Sequence, residues 1–260
     1  MVNDLQPAKA FLPIRGAQIY FETSGEGEPV LLLHGGFGTV EDFASQTPEL
    51  AKHFRVVAFE RVGHGHTADN DEPFHYTTMA SYTIDFVESL GIAPANLVGW
   101  SDGTIVALLV ALARPDLVKR LVCVSGNFDV NGLKPNVVDW LKNATPQSFK
   151  EDALTFVERY ERASPDGPGH YPVVFEKTMK MWLAEPKIQR EELARITAPT
   201  LVMAGDRDMI APEHLLDLFR SIKDAQLCIV PGTSHELLAK KPEATNRVIL
   251  EFLLTAEKPK

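Results

Sequence analysis

Residues 97–103 read LVGWSDG, which sets Ser101 and Asp102 side by side between two glycines. Serine, aspartate and glycine are what ordinary turns are made of, so a plain turn is the simplest reading. The flanks argue for something else. Upstream, Ala95-Asn96-Leu97-Val98 is a short strand-like run. Downstream, Thr104 to Ala113 is an apolar run of helix length. The serine therefore lies on a sharp strand-to-helix corner.

A Gly-x-Ser-x-Gly pattern at such a corner is a nucleophile elbow. The backbone there is strained, the serine oxygen projects from the end of the sheet, and glycines on either side remove the Cβ atoms that would clash where strand and helix approach. A serine hydroxyl is a weak nucleophile and needs a base, itself oriented by an acid. The elbow therefore predicts partners elsewhere in the chain.

Strand-like runs occur at Phe11–Ile14, Gln18–Thr23, Val30–Leu33, Arg55–Phe59, Asn96–Val98, Leu121–Ser125, Thr200–Ala204 and Gln226–Val230. The first two alternate polar and apolar residues around Arg15-Gly16-Ala17, the pattern of an antiparallel hairpin. The later ones are continuous apolar runs, as parallel strands buried on both faces should be. Helical patterns fill the gaps at Val40–His53, Thr77–Leu90, Asp102–Ala113, Pro212–Lys223 and Lys241–Leu254. An α/β fold with a mostly parallel eight-stranded sheet and helices on both faces follows.

One connection breaks the rhythm. Asn127 to Arg195 is far longer than the roughly ten to twenty residues that a one-helix crossover needs. It carries Trp140, Phe149, Phe156, Tyr160, Tyr171, Phe175, Met179, Met181 and Trp182 around the breaker SPDGPG at 164–169. The expectation is a helical cap over residues 127–195, inserted after the sixth strand into a core of residues 1–126 and 196–260. Trp140, Tyr160, Phe175 and Trp182 are then candidates for its inner surface.

The partners of the serine are sought after late strands, where loops gather at the carboxyl edge of a parallel sheet. Two segments qualify: LVMAGDRDMIAP at 201–212 and VPGTSHELL at 230–238. They supply Asp206 or Asp208, and His235, the only one of the eight histidines with the loop context a base needs. His34 is placed to brace the loop that follows the third strand, and His64 and His66 belong to a glycine-rich turn. His53, His75, His170 and His214 read as surface or packing residues. An oxyanion needs preorganised N–H donors. The Asp102 N–H at the start of a helix and the Gly36 N–H of the His-Gly-Gly loop are the candidates, with Phe37 shaping the pocket beside them.

The order serine, aspartate, histidine is that of the α/β-hydrolase fold. The chain resembles a capped serine esterase or lipase-like member of that family. The matches are LLLHGGFG at 31–38, FERVGHGHTAD at 59–69, GWSDG at 99–103, AGDRD at 204–208 and GTSHELL at 232–238. GWSDG is especially similar to the elbow of valacyclovir-hydrolase-like enzymes. The resemblance implies Ser101 as nucleophile, His235 as base, Asp208 rather than Asp206 as the acid, and no cofactor. It also implies an amine-attracting role for the Asp102 carboxylate, against which stands the simpler role of an acid at a helix start. Phe37, Asp102, Trp140 and Trp182 complete the expected substrate contacts.

Serine at the elbow argues against dehalogenase or epoxide hydrolase chemistry, which in this family uses aspartate there. No phosphate-loop or dinucleotide motif is present, and His64-Gly65-His66 is too short a cluster to make a metal site. The formal net charge of -9 over 260 residues and the pI near 5.4 argue against nucleic acid and anionic membranes as partners. The opening MVNDLQPAKA has no apolar signal core and the longest apolar run is too short to span a bilayer, so the expected location is cytoplasmic. Cys123 and Cys228 sit in apolar runs and read as packing thiols. The expected activity is hydrolysis of carboxylic esters or lactones, small molecules that include amino-acid esters and aminosugar-bearing macrolactones. Three alternatives remain: a ligand receptor that keeps the three residues, a perhydrolase, and a carbon–carbon bond hydrolase. Oligomeric state is not readable.

Overall fold

The computed structural model of the chain describes residues 7–255. MVNDLQ at the start and the last five residues lie outside them. Eight strands form one sheet: β1 (Ala8–Ile14), β2 (Ala17–Ser24), β3 (Pro29–Leu33), β4 (Arg55–Phe59), β5 (Ala95–Trp100), β6 (Val118–Val124), β7 (Thr200–Gly205) and β8 (Gln226–Val230). Their spatial order is β1-β2-β4-β3-β5-β6-β7-β8. The β1–β2 and β2–β4 pairs are antiparallel, and every other pair is parallel. All eight expected strands are present, each shifted by a few residues at most.

Side-chain alternation within the parallel strands divides the interior into two cores. Leu31, Leu33, Val57, Phe59, Leu97, Leu121 and Cys123 face one side; Val30, Leu32, Val56, Ala58, Val98, Val122 and Val124 face the other. Successive side chains point to opposite faces, so a strand that reads as continuously apolar must be covered twice. Helices α1 (Thr47–Leu50), α2 (Tyr76–Leu90) and α3 (Asp102–Ala113) begin the cover. Between β6 and β7 come α4 (Pro135–Asn143), α5 (Pro146–Asp152), α6 (Leu154–Ala163), α7 (Tyr171–Ala184) and α8 (Arg190–Leu193). Then follow α9 (Pro212–Ser221), α10 (Leu237–Lys240) and α11 (Pro242–Leu254). The first core takes residues from α2, α3 and α4 to α7, the second from α10 and α11. Among the described residues no helix is long and apolar enough to cross a membrane.

One helix differs from expectation. Instead of a continuous helix over Val40–His53 there is a 3-10 turn at Val40–Phe43, then the single turn of α1 with Pro48 at its start. Proline lacks the N–H that a helix interior requires, whereas at the first turn that N–H would be unsatisfied anyway. A helix running through position 48 would therefore break where the chain restarts. Cys228 is only partly buried, unlike Cys123.

Sheet order positions the chemistry. β3 lies between β4 and β5, so the chain leaves β3 to one side and re-enters the sheet, after α2, on the other. The loops after β3 and β5 face each other across this switch point, the usual place for a ligand crevice in an open α/β sheet. At the end of β5 the chain turns through Ser101, with φ +55° and ψ −121°, a conformation that costs a non-glycine residue about 1–3 kcal/mol. Both flanking glycines are required by contact. A Cβ on Gly99 would strike the Gly103 carbonyl, and one on Gly103 would strike the Leu33 carbonyl of β3.

Candidate active site

The corner holds the Ser101 hydroxyl at the rim of the sheet, and two late loops reach it. His235, after β8, has Nε2 2.9 Å from Ser101 Oγ and Nδ1 2.9 Å from Asp208 Oδ1. A carboxylate only accepts, so Nδ1 carries the proton and Nε2 is left to accept from the serine hydroxyl. Asp208, after β7, is almost wholly buried. Burial works against its charge, but the His235 ring, the Ser125 hydroxyl and the Ile210 N–H outweigh it and hold the carboxyl below the usual carboxylate range. The oxygens are divided between these partners: Oδ1 faces His235 and the Ile210 N–H, and Oδ2 accepts from Ser125.

Asp206, the other aspartate of the motif, does different work. Its Oδ1 accepts the Thr233 N–H at 3.1 Å and the Arg207 N–H is bonded to the Thr233 carbonyl, so the acid loop and the histidine loop are tied together. Trp100, the last residue of β5, adds a tie from the other side by donating Nε1 to the His235 carbonyl at 2.9 Å.

The loop after β3 is built round a buried arginine. Arg61 donates to the His34 carbonyl at 2.7 Å and to the Gly35 carbonyl at 2.9 Å. The His34 Nδ1 proton goes to the Gly35 carbonyl at 2.7 Å, and His34 Nε2 accepts from the Arg61 N–H at 3.1 Å. These bonds need the neutral imidazole, and burial together with the Arg61 charge drives His34 well below the usual histidine range. His34 thus braces this loop, as expected. The Gly35 carbonyl is held by three donors, the third being the Gly38 N–H. Because the peptide unit is planar and trans, the Gly36 N–H on its opposite side is held with it.

Asp102 is fully buried and its carboxylate is already occupied. The Tyr76 hydroxyl donates to Oδ1 at 2.7 Å and Trp182 Nε1 lies 3.0 Å from both oxygens. Burial raises this carboxyl above the usual range, opposed chiefly by the Arg61 charge. The side chain caps no helical N–H, and instead anchors α7 to the core through Trp182. A Cβ on Gly36 would collide with that indole, so glycine there is a packing requirement too.

Between this floor and helices α4 to α7 lies a cavity of about 550 Å³. Gly36, Phe37, Ser101, Asp102, Trp140, Trp182, Asp208 and His235 all line it. Phe149 and Phe156 line it as well. Tyr160 and Phe175 do not. They are buried against Phe149 and Tyr171 in the first core, because they pack on neighbouring aromatic rings and not on the cavity.

Ser125, Arg61 and Tyr76 belong to the site and were not singled out. Ser125 had a faint signal, a polar residue immediately after the apolar run LVCV, and it keeps a positive φ of 51°. Tyr76 had none, since its partner Asp102 is distant in sequence.

The comparisons agree with this architecture. The family model described as "Alpha/beta hydrolase family" matches residues 30–248. The chain is 27% identical to the serine hydrolase BPHL of Homo sapiens over 272 residues, covering 95% of this chain and 89% of that one. It is 26% identical to the 2-hydroxy-6-oxo-6-(2'-aminophenyl)hexa-2,4-dienoic acid hydrolase of Metapseudomonas resinovorans, over 94% of this chain and 90% of that protein. Among solved structures, the enol-lactonase of Burkholderia xenovorans LB400 superposes with a TM-score of 0.76 at 19% identity, over 94% of this chain and 100% of that one. With a family match across most of its length and the fold to go with it, the chain belongs to the alpha/beta hydrolase family and is a hydrolase.

Proposed function

We propose that the chain is a serine hydrolase that opens carboxylic esters or lactones through an acyl-enzyme. The observation that carries this reading is the unbroken line Ser101, His235, Asp208, with 2.9 Å at each step, at the floor of the cavity. Ser101 Oγ attacks the substrate carbonyl carbon while its proton passes to His235 Nε2, and Asp208 stabilises the imidazolium. The N–H groups of Gly36 and Asp102 receive the oxyanion. Collapse of the tetrahedral adduct expels the alcohol, which takes the proton back from His235. Water then attacks the acyl-serine with the same base, the acid leaves, and Ser101 regains its proton. In a lactone the expelled alcohol stays attached to the acyl chain.

His235 works as a base only when neutral. Turnover of an aryl ester is therefore lower in acid, where a protonated ring cannot accept from the serine, than in alkaline solution. Asp208, held below the ordinary carboxylate range, is ionised throughout. A rate that is flat from mildly acidic to alkaline pH would remove histidine from the mechanism.

For substrate class, the reading adds a preference for amine-bearing substrates such as amino-acid esters or aminosugar-bearing macrolactones. Its support is the Asp102 carboxylate in the cavity wall beside the nucleophile. An ammonium group would join Tyr76 and Trp182 as a third donor, and a charge-assisted bond of roughly 1.5–3 kcal/mol favours it by about 10–100-fold over a neutral analogue. The check is a matched pair of esters differing only in the amine, turned over by wild type and Asp102→Asn. The preference collapses while neutral-ester turnover is retained. Equal loss on both would leave the Asp102 side chain as the anchor of Trp182 alone.

A further inference from the structure

The oxyanion loop has a second support that arrives from the helices above the cavity. Asp42, in the 3-10 turn just after the loop, is buried beneath it. A Cβ on Gly38 would strike Asp42 Oδ2, the Gly35 carbonyl and His34 Nδ1, so these three groups meet at one point. Arg159 of α6 descends to this point and sets its guanidinium 2.8 Å from Asp42 Oδ1. The Asp42 and Arg159 side chains are 2% and 14% exposed, whereas the neighbouring pair Arg162–Glu41 is 62% and 51% exposed and screened by water. Burial pushes the Asp42 carboxyl up to about 6, and the Arg159 charge leads the contributions that oppose it.

Above the raised range in which it would take up a proton, a buried carboxylate that loses its partner pulls on whatever other charge is near. Here that charge is Arg61, within electrostatic reach of Asp42 and already holding the His34 and Gly35 carbonyls. Arg159 also covers the ring of Phe156 at 4.7 Å, and Phe156 stacks on Trp100, which is tied to His235.

We propose that Arg159 is a positioning residue for hydrolysis: by neutralising Asp42 it leaves Arg61 free to fix the Gly35 carbonyl, and so couples the seated position of α6 to a formed oxyanion hole. This rests on the serine hydrolase reading above. The two fail separately, since loss of that reading shows as retained turnover in Ser101→Ala, whereas the present inference is tested in proteins that remain active.

The test uses Arg159→Met, Arg159→Lys, Asp42→Asn, the double variant Arg159→Met with Asp42→Asn, and Arg162→Met as the exposed control. Each is assayed well below its melting temperature and at alkaline pH, which favours the ionised Asp42, on a small aryl ester, and for inhibition by phenylboronic acid, whose tetrahedral adduct on Ser101 places an oxygen in the oxyanion hole. Arg159→Met lowers kcat by about 10–100-fold, in line with the range for a misplaced catalytic donor. KM changes less than about threefold, and boronate affinity falls in parallel with kcat. Arg159→Lys recovers most of the loss and Arg162→Met shows none. The double variant performs like Asp42→Asn and better than Arg159→Met, because no stranded carboxylate remains. Should Arg159→Met not fold, the comparison of the double variant with Asp42→Asn still decides, and a gap larger than about threefold overturns the proposal. It is equally overturned if Arg159→Met lowers only the melting temperature, or loses kcat with boronate affinity unchanged.

Discussion

Replacing Ser101 by alanine lowers kcat on an activated ester by roughly 10³–10⁶-fold, about 4–8 kcal/mol of barrier, with the melting temperature changed little. The size follows from what the substitution removes and what it leaves. On the proposed mechanism it removes the atom that forms the acyl bond, along with the proton His235 would receive. It leaves the held Gly36 peptide, the helix start at Asp102 and the cavity, which together still bind and polarise a carbonyl. The fold is spared because among the described residues the hydroxyl has only the His235 ring as a partner, while the strained backbone is kept by the Ser101 N–H to Val124 bond and by the two glycines. Alanine must adopt the same φ near +55° that serine already adopts, so the backbone strain is unchanged. Steady-state kinetics with calorimetry checks both parts. Turnover within tenfold of wild type would end the covalent mechanism.

Asp208→Asn costs about 10⁴-fold in kcat. An amide in that place can offer its NH₂ to His235 Nδ1, which favours the tautomer with the proton on Nε2, where it cannot accept from serine. The amide also gives no charge to the imidazolium. Asp206→Asn is the informative companion. Its amide oxygen can still accept the Thr233 N–H, so the two loops stay joined and kcat falls by less than about tenfold. Reversal of that ranking would move the acid role to Asp206 and leave the Asp208–His235 contact without catalytic meaning.

The fold was legible because its signals are local. Continuous apolar strands, a glycine-flanked serine at a strand end and a long aromatic-rich connection are read within short windows, and the sheet assembles as they indicate. Where expectation and structure part, the cause is either a local rule overlooked or a long-range contact that no window contains. Pro48 belongs to the first kind, since its restart of the helix was available in the sequence. Asp102 belongs to the second: a helix-start residue by sequence, it is held by a tyrosine 26 positions away and a tryptophan 80 positions away. Tyr160 and Phe175 resemble Phe149 and Trp182 in composition and spacing, and only packing decides which of them faces the cavity. That Ser101, His235 and Asp208 would meet could be expected, because each follows a strand whose end the sheet order gathers at one edge.

The site also has a history within each molecule's own folding. Ser101 and His235 are 134 positions apart, and His235 sits beyond β8, the last strand to be added in chain order at its edge of the sheet. Parallel pairing of distant segments is slow because chain closure must precede its reward. The elbow is built by β5 and α3, whereas the partners of its hydroxyl come only with the loops after β7 and β8. On the reading proposed above, the Ser101 hydroxyl therefore gains its base only once the last strand of the sheet is in place.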